Sequence, residues 1–155
     1  FLVLLLVAAP ACYGPHFGSL SSGNYACTST VGENTCGTSV AASTMTVPLS
    51  GAGTDLLSLD LPDGPFHSAA GAAWNPVQFG AQENPNVYHV TATASCGGGR
   101  TSMEEALYAI TTLGQDRFDV DATFDDSALT GCTLPGYSGG DACRAVYHVT
   151  CVRVP

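Results

Sequence analysis

The chain has 155 residues, thirteen carboxylates against four arginines and no lysine, and a formal charge of −9 with only 11% of residues charged. Affinity for nucleic acid rests on neutralising phosphates with Lys and Arg, so nucleic acid and anionic headgroups are poor partner classes for this chain. With polarity supplied by Ser, Thr, Asn, Gln and Gly, the composition suits an extracellular β-protein of one domain, which buries roughly two-thirds of its unfolded surface.

In chain order, Phe1 to Val7 form an unbroken apolar run closed by Ala8, Ala9, Pro10 and Ala11. A membrane-spanning helix needs about 20 apolar residues, so this run reads instead as the core and cleavage region of a signal peptide over residues 1–11. Cys12 follows, and the stretch Ala9-Pro10-Ala11-Cys12 resembles the lipobox of bacterial lipoproteins. That resemblance implies a lipid on Cys12 that anchors the mature protein to a membrane. The same Ala9-Pro10-Ala11 also fits the A-x-A site of ordinary signal peptidase, which would release a secreted protein. Residues 12–24, rich in Gly, Ser and Pro, read as a flexible tether, and 25–155 as a single β-rich domain.

Seven cysteines are an odd number for an exported chain. Setting Cys12 aside leaves Cys27, Cys36, Cys96, Cys132, Cys143 and Cys151, enough for three disulfides. The short loops bracketed by Cys27 and Cys36 and by Cys132 and Cys143 suggest local pairing, which leaves Cys96 for Cys151. Six cysteines allow fifteen arrangements, and spacing alone does not choose among them. No C-x-x-C spacing occurs, which argues against structural zinc.

Short apolar and β-branched segments follow at Thr44 to Leu49, Leu56 to Leu61, Ala72 to Phe79, Val87 to Ala94, Phe118 to Phe124 and Ala145 to Val154, separated by Gly, Pro and Asn turns. That rhythm predicts a mostly β fold, an antiparallel β-sandwich or small barrel. Phe118, Val120, Ala122 and Phe124 alternate with Asp119, Asp121, Thr123 and Asp125, a core face against a wet one. One segment departs from this pattern. Thr101 and Glu104 have capping-box spacing, Met103, Leu107 and Ile110 fall at helical spacing, and Gly114 suits a stop, which together predict one short helix. The alternative makes Gly97 to Gly99 a hairpin turn and Arg100 to Leu113 a returning strand. Val-Tyr-His-Val-Thr occurs at Val87 to Thr91 and again at Val146 to Thr150, which suggests two strands with Tyr inward and His outward.

Several constellations could carry chemistry. Gly136-Tyr137-Ser138-Gly139-Gly140 matches G-x-S-x-G and resembles the nucleophile motifs of serine hydrolases, which implies Ser138 as nucleophile, His148 or His89 as base and Asp119 or Asp121 as orienter. Its setting, a loop between Pro135 and Cys143, is not the strand-to-helix elbow those enzymes use. Asp119, Asp121, Asp125 and Asp126 offer hard oxygen ligands, so calcium is the cofactor to consider, although the spacing is not that of an EF-hand. His89 and His148 could share a transition metal if their strands pair. Trp74 reads as a core anchor in preference to a sugar platform. The expected function is a non-catalytic exported or surface-anchored β-domain, active in adhesion, envelope structure or binding of a protein or carbohydrate ligand. The rivals are a small secreted serine hydrolase using Ser138 and an extracellular filament subunit packed through an uncleaved Phe1 to Ala11.

Overall fold

Period-two alternation lets a strand bury one face and wet the other, and it recurs in most of the described strands. The computed structural model describes residues 17–36, 43–62, 74–80, 86–95, 101–127 and 142–155. They form strands β1 (Gly23–Asn34), β2 (Ser43–Leu49), β3 (Leu57–Pro62), β4 (Trp74–Phe79), β5 (Val87–Ser95), β6 (Thr101–Thr112), β7 (Arg117–Ser127) and β8 (Cys143–Arg153). Every pairing is antiparallel, in a six-stranded sheet ordered β2-β1-β8-β7-β6-β5 and a separate β3-β4 ribbon. Ser50 and Ser58 exchange backbone hydrogen bonds of 3.1 and 3.0 Å, which joins the end of β2 to β3. Contacts of β4 with β5 complete the circuit. The eight strands therefore follow one another in chain order around a ring, and β8 returns to β1. This is a barrel whose hydrogen-bond ladder is interrupted on both sides of the ribbon, intermediate between the sandwich and the barrel that the sequence predicts.

The register stacks the interior in layers. At one end Phe118 lies beside Cys151, and Cys151 beside Cys27. Ile110, Val120, Val149 and Ser29 follow, then Tyr108, Ala122 and Tyr147, then Ala106, Phe124 and Ala145. The last layer is Glu104, Asp126 and Cys143. Tyr108 packs edge-on to Phe124 at 5.6 Å and Phe124 against Tyr147 at 5.5 Å, so one aromatic row crosses β6, β7 and β8. Tyr108 also donates a hydrogen bond to the Pro62 carbonyl at 3.0 Å, which ties the ribbon to the opposite wall. Trp74 packs on the core as expected and donates from Nε1 to Ser43 Oγ at 3.3 Å.

Four sequence expectations are corrected. The helix proposed at 101–113 is strand β6, because Glu104, Ala106, Tyr108 and Ile110 all face inward at period two. The residues between Cys27 and Cys36 form strand β1 and no disulfide loop. The tether ends earlier than Asn24, since Phe17 and Leu20 are buried in the core and Phe17 meets Phe79 at 6.5 Å. Finally, the disulfides are Cys27–Cys151 and Cys36–Cys143, replacing the Cys27–Cys36, Cys132–Cys143 and Cys96–Cys151 pairs. Cys151 is taken by Cys27 and so is not left for Cys96. Cys12, Cys96, Cys132 and the signal segment 1–11 lie outside the described residues.

Both bridges join the first strand to the last. Cys27 stands directly opposite Cys151, and the ladder extended past the Asn34–Ala145 pair sets Cys36 opposite Cys143. The spacing along β1 is odd and that along β8 is even, so an unbroken ladder would put one cysteine on the wrong face. A bulge between Val31 and Glu33 supplies the extra residue. Gly32 sits in it, where an added Cβ would lie 2.8 Å from His148 Nε2.

Candidate functional site

The two ends of the barrel are built differently. One end is stoppered: Phe17 and Leu20 fill it, Ser21 N–H donates to the Gln115 carbonyl at 2.8 Å, and Tyr25 Oη donates to Ser21 O at 2.7 Å and to Gln115 O at 3.1 Å. Burial, with the nearby Asp116 carboxylate, pushes the Tyr25 phenol up from its ordinary value. At the other end the strands stop at Asn34, Ser43, Pro62, Trp74, Ser95, Thr101, Ser127 and Cys143, and the connections 35–42, 63–73, 96–100 and 128–142 leave from there.

At that second end lies a group the sequence reading did not assemble. Glu104 on β6 and Asp126 on β7 are register partners on the inner face, 2% and 1% exposed. Two carboxylates so close and so dry cannot both ionise, and one proton shared between them relieves the repulsion. Desolvation raises Asp126 most, with the Glu104 charge, a hydrogen bond with Glu104 and the Asp125 charge adding to it, to about 8. Oδ2 of Asp126 faces the Cys36–Cys143 bridge at 3.9 and 3.8 Å, but disulfide sulfurs carry no proton to donate. Oδ1 has no hydrogen-bond partner among the described residues. The same holds for the hydroxyl of Tyr147, a fully buried residue. Burial followed by the charges of Glu104 and Asp126 pushes that phenol up to about 12, so it stays neutral.

Asp126 and Cys143 line a cleft of about 400 Å³ at the rim of β6, β7 and β8. Its walls include Met103, Glu105, Asp125 and Arg144. The Arg144 guanidinium reaches Asp125 at 3.3 Å and Glu33 at 3.9 Å, and all three side chains are about half exposed. Among the described residues the rim is therefore acidic, with the Arg144 guanidinium engaged by two carboxylates. The cleft is of the small-molecule size class.

The sequence-predicted residues are dispersed by comparison. His148 Nδ1 meets Asp121 Oδ1 at 2.6 Å on the outer face, so of the two acids considered for it Asp121 is its partner and Asp119 is not. Ser138 lies outside the described residues. The calcium set is divided by the pleat: Asp119, Asp121 and Asp125 point outward, Asp126 points inward, and Asp121 and Asp125 are engaged with His148 and Arg144. The dihistidine site does not form either. His89 on β5 pairs with Glu105 at 2.7 Å, two strands away from the His148–Asp121 pair. The repeat does behave as expected, with Tyr88 and Tyr147 packed toward the core and both histidines exposed. Among the described residues, the single cluster of potential metal ligands is Cys36, Asp126 and Cys143, and the disulfide takes both of its sulfurs.

The missed acid pair had a sequence signal. Asp126 continues the even-numbered face of Phe118, Val120, Ala122 and Phe124, and Glu104 begins that of Ala106, Tyr108 and Ile110. Buried acids run against the usual rule that carboxylates are surface groups, so parity alone carried the information. No protein family, no curated protein and no solved structure matches this chain.

Proposed function

We propose that the protein is an exported, non-catalytic β-domain, tethered to a membrane through a lipid on Cys12, that works by holding a ligand in the cleft at the Cys36–Cys143 end. One observation carries the binding reading. A well-buried carboxyl with an uncommitted oxygen forms part of the wall of a ligand-sized cleft, at the end of the barrel from which the longer connections leave. A polar group buried without a partner carries a cost of roughly 1–3 kcal/mol, which a ligand donating to it would offset. Export is supported by the two disulfides, since such bonds persist in oxidising compartments. The serine-hydrolase reading has less support: Asp121 holds His148 Nδ1 as an orienting acid would, but the pair stands exposed on the outer wall and neither residue lines the cleft.

Intact-mass spectrometry of the mature protein tests the anchor. A mass beginning at Cys12 with a diacylglycerol adduct is the expected result, whereas an unmodified Cys12 overturns the tether. A mass that retains Phe1 to Ala11 replaces it with the filament reading. Binding is tested by chemical-shift mapping on the folded, oxidised chain with a panel of small cationic, neutral and anionic ligands. Saturable shifts confined to the cleft residues are expected, and a panel that moves none of them overturns the reading.

A further inference from the structure

We infer that the stoppered end of the barrel is the surface that meets the lipid bilayer, and that the cleft opens on the opposite side, toward ligands in solution. The inference rests on the reading of a lipid on Cys12 and adds an orientation to it.

The length of chain between anchor and barrel sets the geometry. Phe17 is wholly buried in the stopper, and only four residues separate it from Cys12. Five residue steps, fully extended, reach at most about 18 Å. The wall is taller than that. Strand β6 has twelve residues, Thr101–Thr112, which span roughly 40 Å along the strand and about 30 Å along the axis of a barrel with tilted strands. An anchor that leaves from the stopper therefore cannot bring the cleft rim down to the lipid. Nor does the tether lengthen by peeling off the barrel without loss. Phe17 packs edge-on to Phe79 at 6.5 Å, its carbonyl accepts from Leu20 N–H at 3.1 Å, and Ser21 N–H donates to the Gln115 carbonyl at 2.8 Å.

The surfaces of the two ends point the same way, and they are an observation independent of the tether. At the stoppered end Leu56, in the turn between β2 and β3, and Leu113, in the turn between β6 and β7, are exposed. Among the described residues of that end the charges are Asp55, Asp116, Arg117 and Arg153, equal in number of each sign, and Arg153 pairs with Asp116 at 3.3 Å. Glu83 is the one further charge in its connections. The cleft end carries Glu33, Glu104, Glu105, Asp125 and Asp126 against Arg144, and its exposed Met103 stands beside these acids. Carboxylates hold their water and are repelled by anionic headgroups, whereas exposed leucines gain by burial at the headgroup boundary. Of the two ends, the stoppered one costs less to seat against lipid.

The chain supplies its own reporter. Trp74, its single tryptophan, begins β4 opposite Pro62, at the cleft end, and packs on the core. The test uses the lipidated mature protein, extracted in detergent and reconstituted in phosphatidylcholine vesicles whose acyl chains carry bromine near the headgroup, a quencher that acts only at near-contact range. Flotation reads the anchor, and tryptophan emission reads the orientation. The wild-type protein is expected to float, with Trp74 losing less than about a tenth of its emission. In Trp74→Phe proteins carrying Leu113→Trp or, as a second placement, Leu56→Trp, about half or more of the emission should be lost. Both leucines are exposed, so neither substitution repacks the core. If Trp74→Phe does not fold, Leu113→Trp is read by difference against the wild type with Trp74 retained. Flotation with Trp74 quenched, or with both leucine-site reporters unquenched, overturns the orientation and leaves the anchor standing. Failure to float overturns the anchor and the orientation together.

Discussion

The stoppered end and the cleft end of this barrel use the same strands and opposite chemistry. At the first, Tyr25 donates to two carbonyls, Arg153 N–H donates to Asp116 O at 2.8 Å, and Phe17 fills the interior. At the second, two acids share a dry layer with the Cys36–Cys143 bridge, and Asp126 Oδ1 there and the Tyr147 hydroxyl two layers beneath have no hydrogen-bond partner among the described residues. A chain shaped for stability alone would place no ionisable carboxyl in that layer, and none of the four layers beneath it holds one. The difference teaches that the cleft end carries a local cost which the staples and the stopper offset elsewhere.

Removing the staples should have the largest effect. Either bridge closes a loop of more than a hundred residues, with sequence separations of 124 and 107. When one bridge is in place, the other closes only the small ring between the two. Chain entropy then gives about 3 kcal/mol for losing either pair alone and about 8 kcal/mol for losing both, read from denaturant midpoints of Ala-substituted proteins. If single losses already unfold the chain, the two ends are not held independently.

The next largest effect is expected at the stoppered end. An added Cβ on Gly80 would lie 1.8 Å from the Asp55 carbonyl oxygen, at a φ of +94°, and one on Gly51 would lie 1.8 Å from Leu56 O at +83°. Gly80→Ala should cost about 2–4 kcal/mol, seen as a lowered Tm. A smaller loss than Gly32→Ala produces at the bulge, where the obstacle is an exposed histidine ring, would mean that the turns yield more readily than the wall.

The cleft end should be exposed by pH. Asp126 holds its proton more tightly folded than unfolded, so its stabilising contribution is complete below about 4 and is lost as pH rises toward 8. The slope is at most about 1.4 kcal/mol per pH unit. Asp126→Asn should match the wild type near pH 4 and be the more stable protein at pH 8.5 by chemical denaturation. Equal pH profiles for the two proteins would show that the pair carries no strain. The smallest effect belongs to the outer wall, where Asp121→Asn removes an exposed pair with His148 and should change stability by less than about 1 kcal/mol.

Much of the fold was legible in the sequence because alternation is a local property. The inward face of Phe118, Val120, Ala122 and Phe124 and the Tyr-in, His-out repeat needed only neighbouring residues to be read. β6 was obscured because its inner face begins with Glu104 while Met103 and Leu107 stand exposed outside, so a helical period competed with period two. β1 was hidden by its cysteines, which suggested a local loop.

The sequence by itself determined the strand rhythm, the disulfide-bonded character and the acidic surface, since each follows from composition or from short-range periodicity. Register is a relation between segments far apart in the chain. The bulge at Gly32, which brings two cysteine pairs with unequal spacings to one face, and the juxtaposition of Glu104 with Asp126 were therefore decided only when the tertiary structure closed β8 onto β1 and β7 onto β6.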